Sequence, residues 1–176
     1  MENTVYKGNF IRVTEEIIDG INWERCYLRD GVIVFAQKDN GKFIMIREKR
    51  PHEDVKVRLR FVAGHIETEL SVEENVNKEL QEEVGFKAAE INVFYSVKAS
   101  GTVNNRVYFA LAKNLSPSKI PNPDGDVIES IEEFSFQEIM EKFLKDELRW
   151  SLSTLGFLRL FHLHKDLLPK SFGTSF

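Results

Sequence analysis

The chain has 176 residues, 42% hydrophobic and 30% charged, a mixture that argues against wholesale disorder and suits one domain with a full core. Lys and Arg number 24 against 28 Asp and Glu, and the resulting charge of −4 disfavours a broad nucleic-acid surface while leaving room for one bound nucleotide. A single cysteine, Cys26, excludes an intramolecular disulfide and any zinc site built on two or more cysteines. The histidines, His52, His65, His162 and His164, show no HExxH spacing. The segment MENTVYKGNF lacks a basic-then-apolar signal pattern, and no apolar run approaches the roughly 20 residues of a membrane helix. The expectation is a soluble protein of a reducing compartment, the cytoplasm, with no membrane and no nucleic-acid partner.

Phe10-Ile11-Arg12-Val13 reads as a strand ending before Asp19-Gly20. Between Tyr27 and Gln37 the run GVIVFAQ is β-branched and aromatic. DNGK follows at 39–42 as a hairpin turn, with FIMIRE at 43–48 as the return strand. Arg50-Pro51 opens a loop, and RLRFVAG at 58–64 alternates until it meets Gly64. SVEENVNKELQEEV, residues 71–84, predicts a helix. Ser71 and Glu74 make a capping box, Val72, Val76, Leu80 and Val84 form one apolar stripe, and Gly85 sits at the C′ position. Strands are expected over 91–97 and 106–112, a Pro-rich loop over 116–126, and helices over 134–148 and 152–164. Strands, a helix, strands and then helices in that order imply an α+β fold or an α/β/α sandwich.

Glu79, Glu82 and Glu83 stand at i, i+3 and i+4, on one helix face within about a turn. Three like charges repel one another, and near a helix C-terminus the macrodipole makes them worse. One reading is a solvated face balanced by Lys78 and Lys87. The other is a hard-cation site, since Mg²⁺ takes carboxylate oxygens and keeps waters it can share with a phosphate. Residues that oppose stability point towards the second.

With its upstream glycine loop, the stretch from Gly64 to Phe86 resembles a Nudix box. The family pattern is Gly, five residues, Glu, seven residues, then Arg-Glu-aliphatic-any-Glu-Glu-any-Gly-aliphatic. Gly64, Glu79, Leu80, Glu82, Glu83, Gly85 and Phe86 fall in register, Phe86 loosely. Leu70 stands where the first Glu is expected and Lys78 where the Arg is. In the family these two groups help hold the loop–helix geometry. REKRP, FVAGHIE, the acidic DGDVIES and the tail LRWSLSTLGFLRL look like the ADP-ribose and nucleotide-sugar pyrophosphatase branch. Ser100 replaces the proline of that branch's SPG-like turn.

The resemblance implies a Nudix-type α/β/α sandwich with a mixed sheet over residues 1–176. An extra N-terminal antiparallel sheet (1–28) and C-terminal helices (134–165) would complete it. It implies Mg²⁺, or Mn²⁺ in its place, held by Glu79, Glu82, Glu83 and the Ala63 carbonyl. The reaction implied is cleavage of a pyrophosphate in sugar nucleotides of the ADP-ribose or GDP-mannose type. The proton acceptor is left open between Asp124, Asp126 and Glu129 of the acidic loop, and Glu82 or Glu83. Asp124-Gly125-Asp126 reads equally as a turn, and Glu129 as a solvent-facing strand residue. Arg50 suits phosphate or a base, or else pairs with Glu48 or Glu53. His65 and Arg106 are further substrate candidates. Phe10, Trp23 and Tyr27 are either base-stacking or core aromatics. Related layouts exchange N-terminal strands in a homodimer, which would bring Trp23 or Arg25 to the partner's site. A dinucleoside polyphosphate hydrolase and a non-catalytic nucleotide sensor remain the competing expectations.

Overall fold

The computed structural model describes residues 1–99, 101–123, 125, 127–148 and 151–163. β1 (Asn3–Lys7), β2 (Ile11–Ile18) and β3 (Ile21–Leu28) form an antiparallel meander. Asp19 and Gly20, both at positive φ, turn β2 into β3, as a two-residue hairpin requires. A two-residue strand, β8 (Val103–Asn104), adds in parallel beside β3 and completes this separate N-terminal sheet.

The larger sheet contains β4 (Gly31–Gln37), β5 (Phe43–Lys49), β6 (Val57–His65), β7 (Phe86–Lys98), β9 (Arg106–Pro117) and β10 (Val127–Phe134). Its order is β10-β5-β6-β4-β9-β7, with β4 and β9 parallel and the other pairs antiparallel. β4 is a nearly continuous apolar run because helices cover both faces. Val32, Val34 and Ala36 pack with Val76, Leu80 and Val84 of the acidic helix. Ile33 and Phe35 face Phe136, Ile139, Phe157 and Leu160 of the C-terminal helices α2 (Phe136–Leu144) and α3 (Ser151–Leu163). The expected mixed sheet between helical layers is therefore present.

Several boundaries differ from expectation, among them these. The hairpin at DNGK forms, with Gly41 at φ 79°, but only Ala36↔Ile44 and Gln37↔Phe43 pair across it. β6 then inserts between β4 and β5, because it satisfies the backbone groups of both. VIES, expected at the end of the acidic loop DGDVIES, instead opens VIESIEEF, an edge strand against β5. A bulge between Ile128 and Ser130 shifts its pairing with β5 while exposed and half-buried positions keep alternating, and its exposed positions are partly charged, as edge strands require. The helix expected from residue 134 starts at Phe136, since Ser135 is its cap and pairs reciprocally with Glu138. β9 continues to Pro117 because β7 pairs with it as far as Phe86. The helix end at His164 and the turn residue Ser100 lie outside the described residues. Among the described residues, no helix is long and apolar enough to cross a membrane.

Candidate active site

The acidic helix starts as its capping box dictates. Ser71 Oγ accepts from the Glu74 amide at 3.1 Å, and the Glu74 carboxylate accepts from the Ser71 amide at 2.7 Å. It does not remain an α-helix to its end. α1 covers Val72–Glu79, and Leu80–Val84 widens into a π turn closed by Gly85 at φ 75°. π turns inside α-helices occur frequently at functional sites, and this one carries Glu82 and Glu83.

All three glutamates are buried, Glu79 at 7%, Glu82 at 4% and Glu83 at 3% exposure. Their environment therefore contradicts a solvated face, and buried carboxylates need partners. Glu83 finds Arg60, itself 2% exposed at the centre of β6. Arg60 Nη2 donates to Glu83 Oε1 at 2.6 Å and Nη1 to Oε2 at 3.3 Å, a bidentate pair. The same guanidinium holds Glu48 through Nε at 2.7 Å and Nη2 at 2.9 Å. Glu48 also receives Arg50 at 2.7 Å and Arg58 at 3.4 Å, and Arg58 continues to Glu53 at 3.0 Å. A relay of alternating charge thus runs from the helix end across two strands to the 50–56 loop.

Burial pushes the Glu83 carboxyl up to about 7, against the pull of Arg60. For Glu48 burial also favours the neutral form, but hydrogen bonds from Arg60 and Arg50 prevail and hold it at about 2. The two carboxylates share one buried guanidinium, and Glu48 has the further arginines, so the charge deficit falls on Glu83.

Glu79 lies against the glycine loop. A Cβ on Gly64 would stand 1.9 Å from Glu79 Oε1, so only glycine lets this strand end approach the carboxylate. The neighbouring Ala63 carbonyl accepts from Arg60 Nη1 at 3.2 Å, and the Ala63 amide donates to Glu83 at 3.3 Å.

The two departures from the box are compensated. Lys78 Nζ reaches Glu67 at 3.2 Å and Glu82 at 3.0 Å, so Glu67 supplies the loop carboxylate that Leu70 lacks. Burial opposes the charge on Lys78, but Glu82 and Glu67 outweigh it and raise its pKa. Asn75, 1% exposed, ties the same loop down. Its amide donates to the carbonyls of Glu67, Leu70 and Ser71 and accepts from the Glu67 amide.

The remaining candidates are spread along the sheet. Glu129 is exposed in the bulge of β10, next to the strand that carries Glu48. Bulges next to active sites re-aim side chains. Asp124 and Asp126 lie outside the described residues. Arg50 pairs with Glu48, and its Nε is buried without a hydrogen-bond partner among the described residues. His65 and Arg106 sit at the other end of β6, since Gly31 pairs with both His65 and Val107. At about 3.3 Å per residue, the nine residues from Val57 to His65 separate Arg50 from that group by most of the sheet's height. Arg106 donates to Ser96, and its amide to Asp30. Phe10 is the stacking candidate that reaches the glycine loop, its ring 6.1 Å from His65 at 27°. Tyr27 is engaged with Arg12 and Glu2. Trp23 is 51% exposed on the N-terminal sheet. Within one chain, Arg50 is not brought together with His65, Arg106 or Trp23.

Arg60 and Asn75, which carry the site's architecture, are not singled out from the sequence, and Glu48 is singled out there only as a partner of Arg50. A charge in the alternating run RLRFVAG, on the side that faces the helix, was the signal for Arg60.

The donor set is chemically suited to a hard divalent cation: three buried carboxylates and a backbone carbonyl, with a glycine that admits one of them. Among the described residues, no three Asp, Glu, His or Cys side chains are grouped as a metal cluster, and Arg60 and Lys78 carry the counter-charge.

A NUDIX domain family model matches residues 27–154, and the chain belongs to that family. It is a Nudix hydrolase with the family's box on α1 and the π turn. Among solved structures it is similar to one described as "Crystal structure of ADP compounds hydrolase", at 19% identity and a TM-score of 0.80. That match covers 94% of this chain and 92% of the other. No curated protein matches this chain.

Proposed function

We propose that this Nudix hydrolase cleaves the pyrophosphate of nucleoside diphosphate-linked sugars, of the ADP-ribose or GDP-mannose type. The products would be a nucleoside monophosphate and a sugar phosphate. The observation that carries the reading is the burial of Glu79, Glu82 and Glu83 on one helix end, with Glu79 against Gly64. The similarity in fold to an ADP compounds hydrolase supports the substrate class.

Glu79, Glu82, Glu83 and the Ala63 carbonyl would hold Mg²⁺, or Mn²⁺ in its place. The ion would neutralise the diphosphate and lower the pKa of its bound water. Arg60 orients Glu83 bidentately and balances its charge. Lys78 does the same for Glu82 while pinning the loop. Gly64 leaves Glu79 room at the strand end. Glu129, on the exposed bulge, is the proposed proton acceptor in company with Asp126, with Glu82 and Glu83 as the alternatives. His65 and Arg106 would meet the substrate at one end of β6, and Arg50 at the other.

The cytoplasm is the proposed location, in keeping with the lone Cys26. A homodimer is proposed from the N-terminal sheet, which exposes Tyr6, Phe10, Ile17, Ile21 and Trp23. The dimer would bring Trp23 to the partner's site. A monomer at micromolar concentration by light scattering overturns that part.

Phosphate release coupled to alkaline phosphatase tests the substrate. The panel is ADP-ribose, GDP-mannose, UDP-glucose and diadenosine polyphosphates, each with Mg²⁺, Mn²⁺ or neither. Metal-dependent release from the sugar nucleotides is expected. Release from diadenosine polyphosphates alone would reassign the substrate. Silence throughout, from folded protein, would make it a sensor.

A further inference from the structure

We propose that Lys119, in the loop after β9, is a positioning residue that holds the π turn carrying Glu82 and Glu83. The proposal rests on the reading of those glutamates as reaction residues.

A helix end leaves carbonyls without intrahelical partners. Here the Gly85 amide returns to Leu80, and an outside segment takes three further carbonyls. The Ser118 amide donates to Gly85 O at 2.8 Å, the Ile120 amide to Gln81 O at 3.4 Å, and Lys119 Nζ to Glu82 O. Gln81 Nε2 returns a bond to Ser118 Oγ at 2.8 Å. Three consecutive residues of a Pro-rich loop thus strap the turn from Gln81 to Gly85.

Lys119 differs from its neighbours because it bonds through a side chain. Its stem crosses Gly85, with Cδ 3.3 Å from where a Cβ would stand there. Its ammonium ends on the backbone of Glu82, not on the carboxylate. The bond fixes where Glu82 starts without consuming the oxygens that the chemistry needs. The positive charge also meets the negative end of the helix macrodipole, which the glutamates aggravate. Arg60 and Lys78 hold the two carboxylates at their tips, and Lys119 holds the backbone from which Glu82 departs. Displacements of about 1 Å at such groups cost about 100-fold in rate.

The test uses the full chain with Lys119→Met, which keeps the stem and removes the donor, and Lys119→Arg, which restores a donor. Three readouts are taken: amide hydrogen exchange over residues 81–86, Mn²⁺ affinity by calorimetry, and the split between kcat and KM. In Lys119→Met, exchange over 81–86 should accelerate about tenfold and the Mn²⁺ Kd rise about tenfold. Turnover should fall by about tenfold or more with KM within about twofold, and Lys119→Arg should recover most of each. Unchanged exchange and Mn²⁺ affinity overturn the proposal. So does an acceleration spread evenly over α2 and the sheet, which marks a general loss of stability. If the wild-type chain neither binds Mn²⁺ nor cleaves any substrate, the proposed function fails, while exchange over 81–86 still decides whether Lys119 holds the turn.

Discussion

Arg60 Nη2 donates to Glu83 Oε1 at 2.6 Å, joining the centre of a buried strand to the end of the acidic helix. The same guanidinium is the shared counter-ion of Glu48 and Glu83. Arg60→Met would leave two buried carboxylates short of charge, an arrangement that costs about 3–5 kcal/mol. Urea unfolding at neutral pH measures it. Arg60→Lys should recover only part, because an ammonium cannot serve both carboxylates bidentately. A loss below about 1 kcal/mol would mean that the relay contributes little.

The pH dependence of the metal-free chain follows from the two glutamates. Glu83, raised to about 7 from 4.5, binds a proton in the folded state that the unfolded chain releases. Its contribution therefore grows as pH falls from about 7 towards 4.5. Glu48, lowered to about 2 from 4.5, contributes above 4.5 and loses that contribution as pH falls towards 2. Stability in chelator should peak at about pH 5 and decline on both sides. Glu83→Gln should flatten the decline above that peak. A wild-type curve with no decline between pH 5 and 7 would count against a raised Glu83.

Gly64→Ala places a methyl 1.9 Å from the Glu79 carboxylate, so the side chain must move. The expected outcome is a folded protein with weaker Mn²⁺ binding and turnover reduced about 100-fold. Calorimetry and the phosphate-release assay check it. Normal activity would remove Glu79 from the site.

Glu82→Gln and Glu83→Gln should each lower turnover strongly while circular dichroism and the unfolding transition survive. For Glu83 the amide also loses its charge pairing with Arg60. Near-wild-type turnover in both would end the metal-site assignment.

Asn75→Ala removes an amide that holds the 67–71 loop through four hydrogen bonds. The loss should be about 2–3 kcal/mol, because buried backbone groups are left without partners. Lys78→Arg should be tolerated, since a guanidinium can also bridge Glu67 and Glu82. Lys78→Met should weaken Mn²⁺ binding. Equal tolerance of Met and Arg would show that this bridge is dispensable.

Features set by neighbouring residues are legible in the sequence. The helix start follows from Ser71 and Glu74 three residues apart, its stop from Gly85, and the DNGK turn from Asn40-Gly41. The expectation of an acidic face follows from spacing alone, because i, i+3 and i+4 share a side in an α-helix; the widening at Leu80–Val84 is a tertiary addition. β10 is hidden in the sequence because its half-buried positions include Ser130 and Glu132, so apolar and polar residues do not alternate along VIESIEEF, and its charges resemble those of a loop. The hairpin of β4 and β5 was recognised, but not that β6 opens it after two pairs.

Local order thus decided the turn, the helix and the set of carboxylates, since each depends on residues within a few positions of one another. Pairing decided the rest. Arg60 meets Glu48 and Glu83 across 12 and 23 positions, and Lys119 meets Glu82 across 37. Those contacts exist only once strands have chosen neighbours and burial has made each unpaired charge costly. Spacing along the chain placed three carboxylates on a face, and the tertiary structure chose the cations that make their burial tolerable.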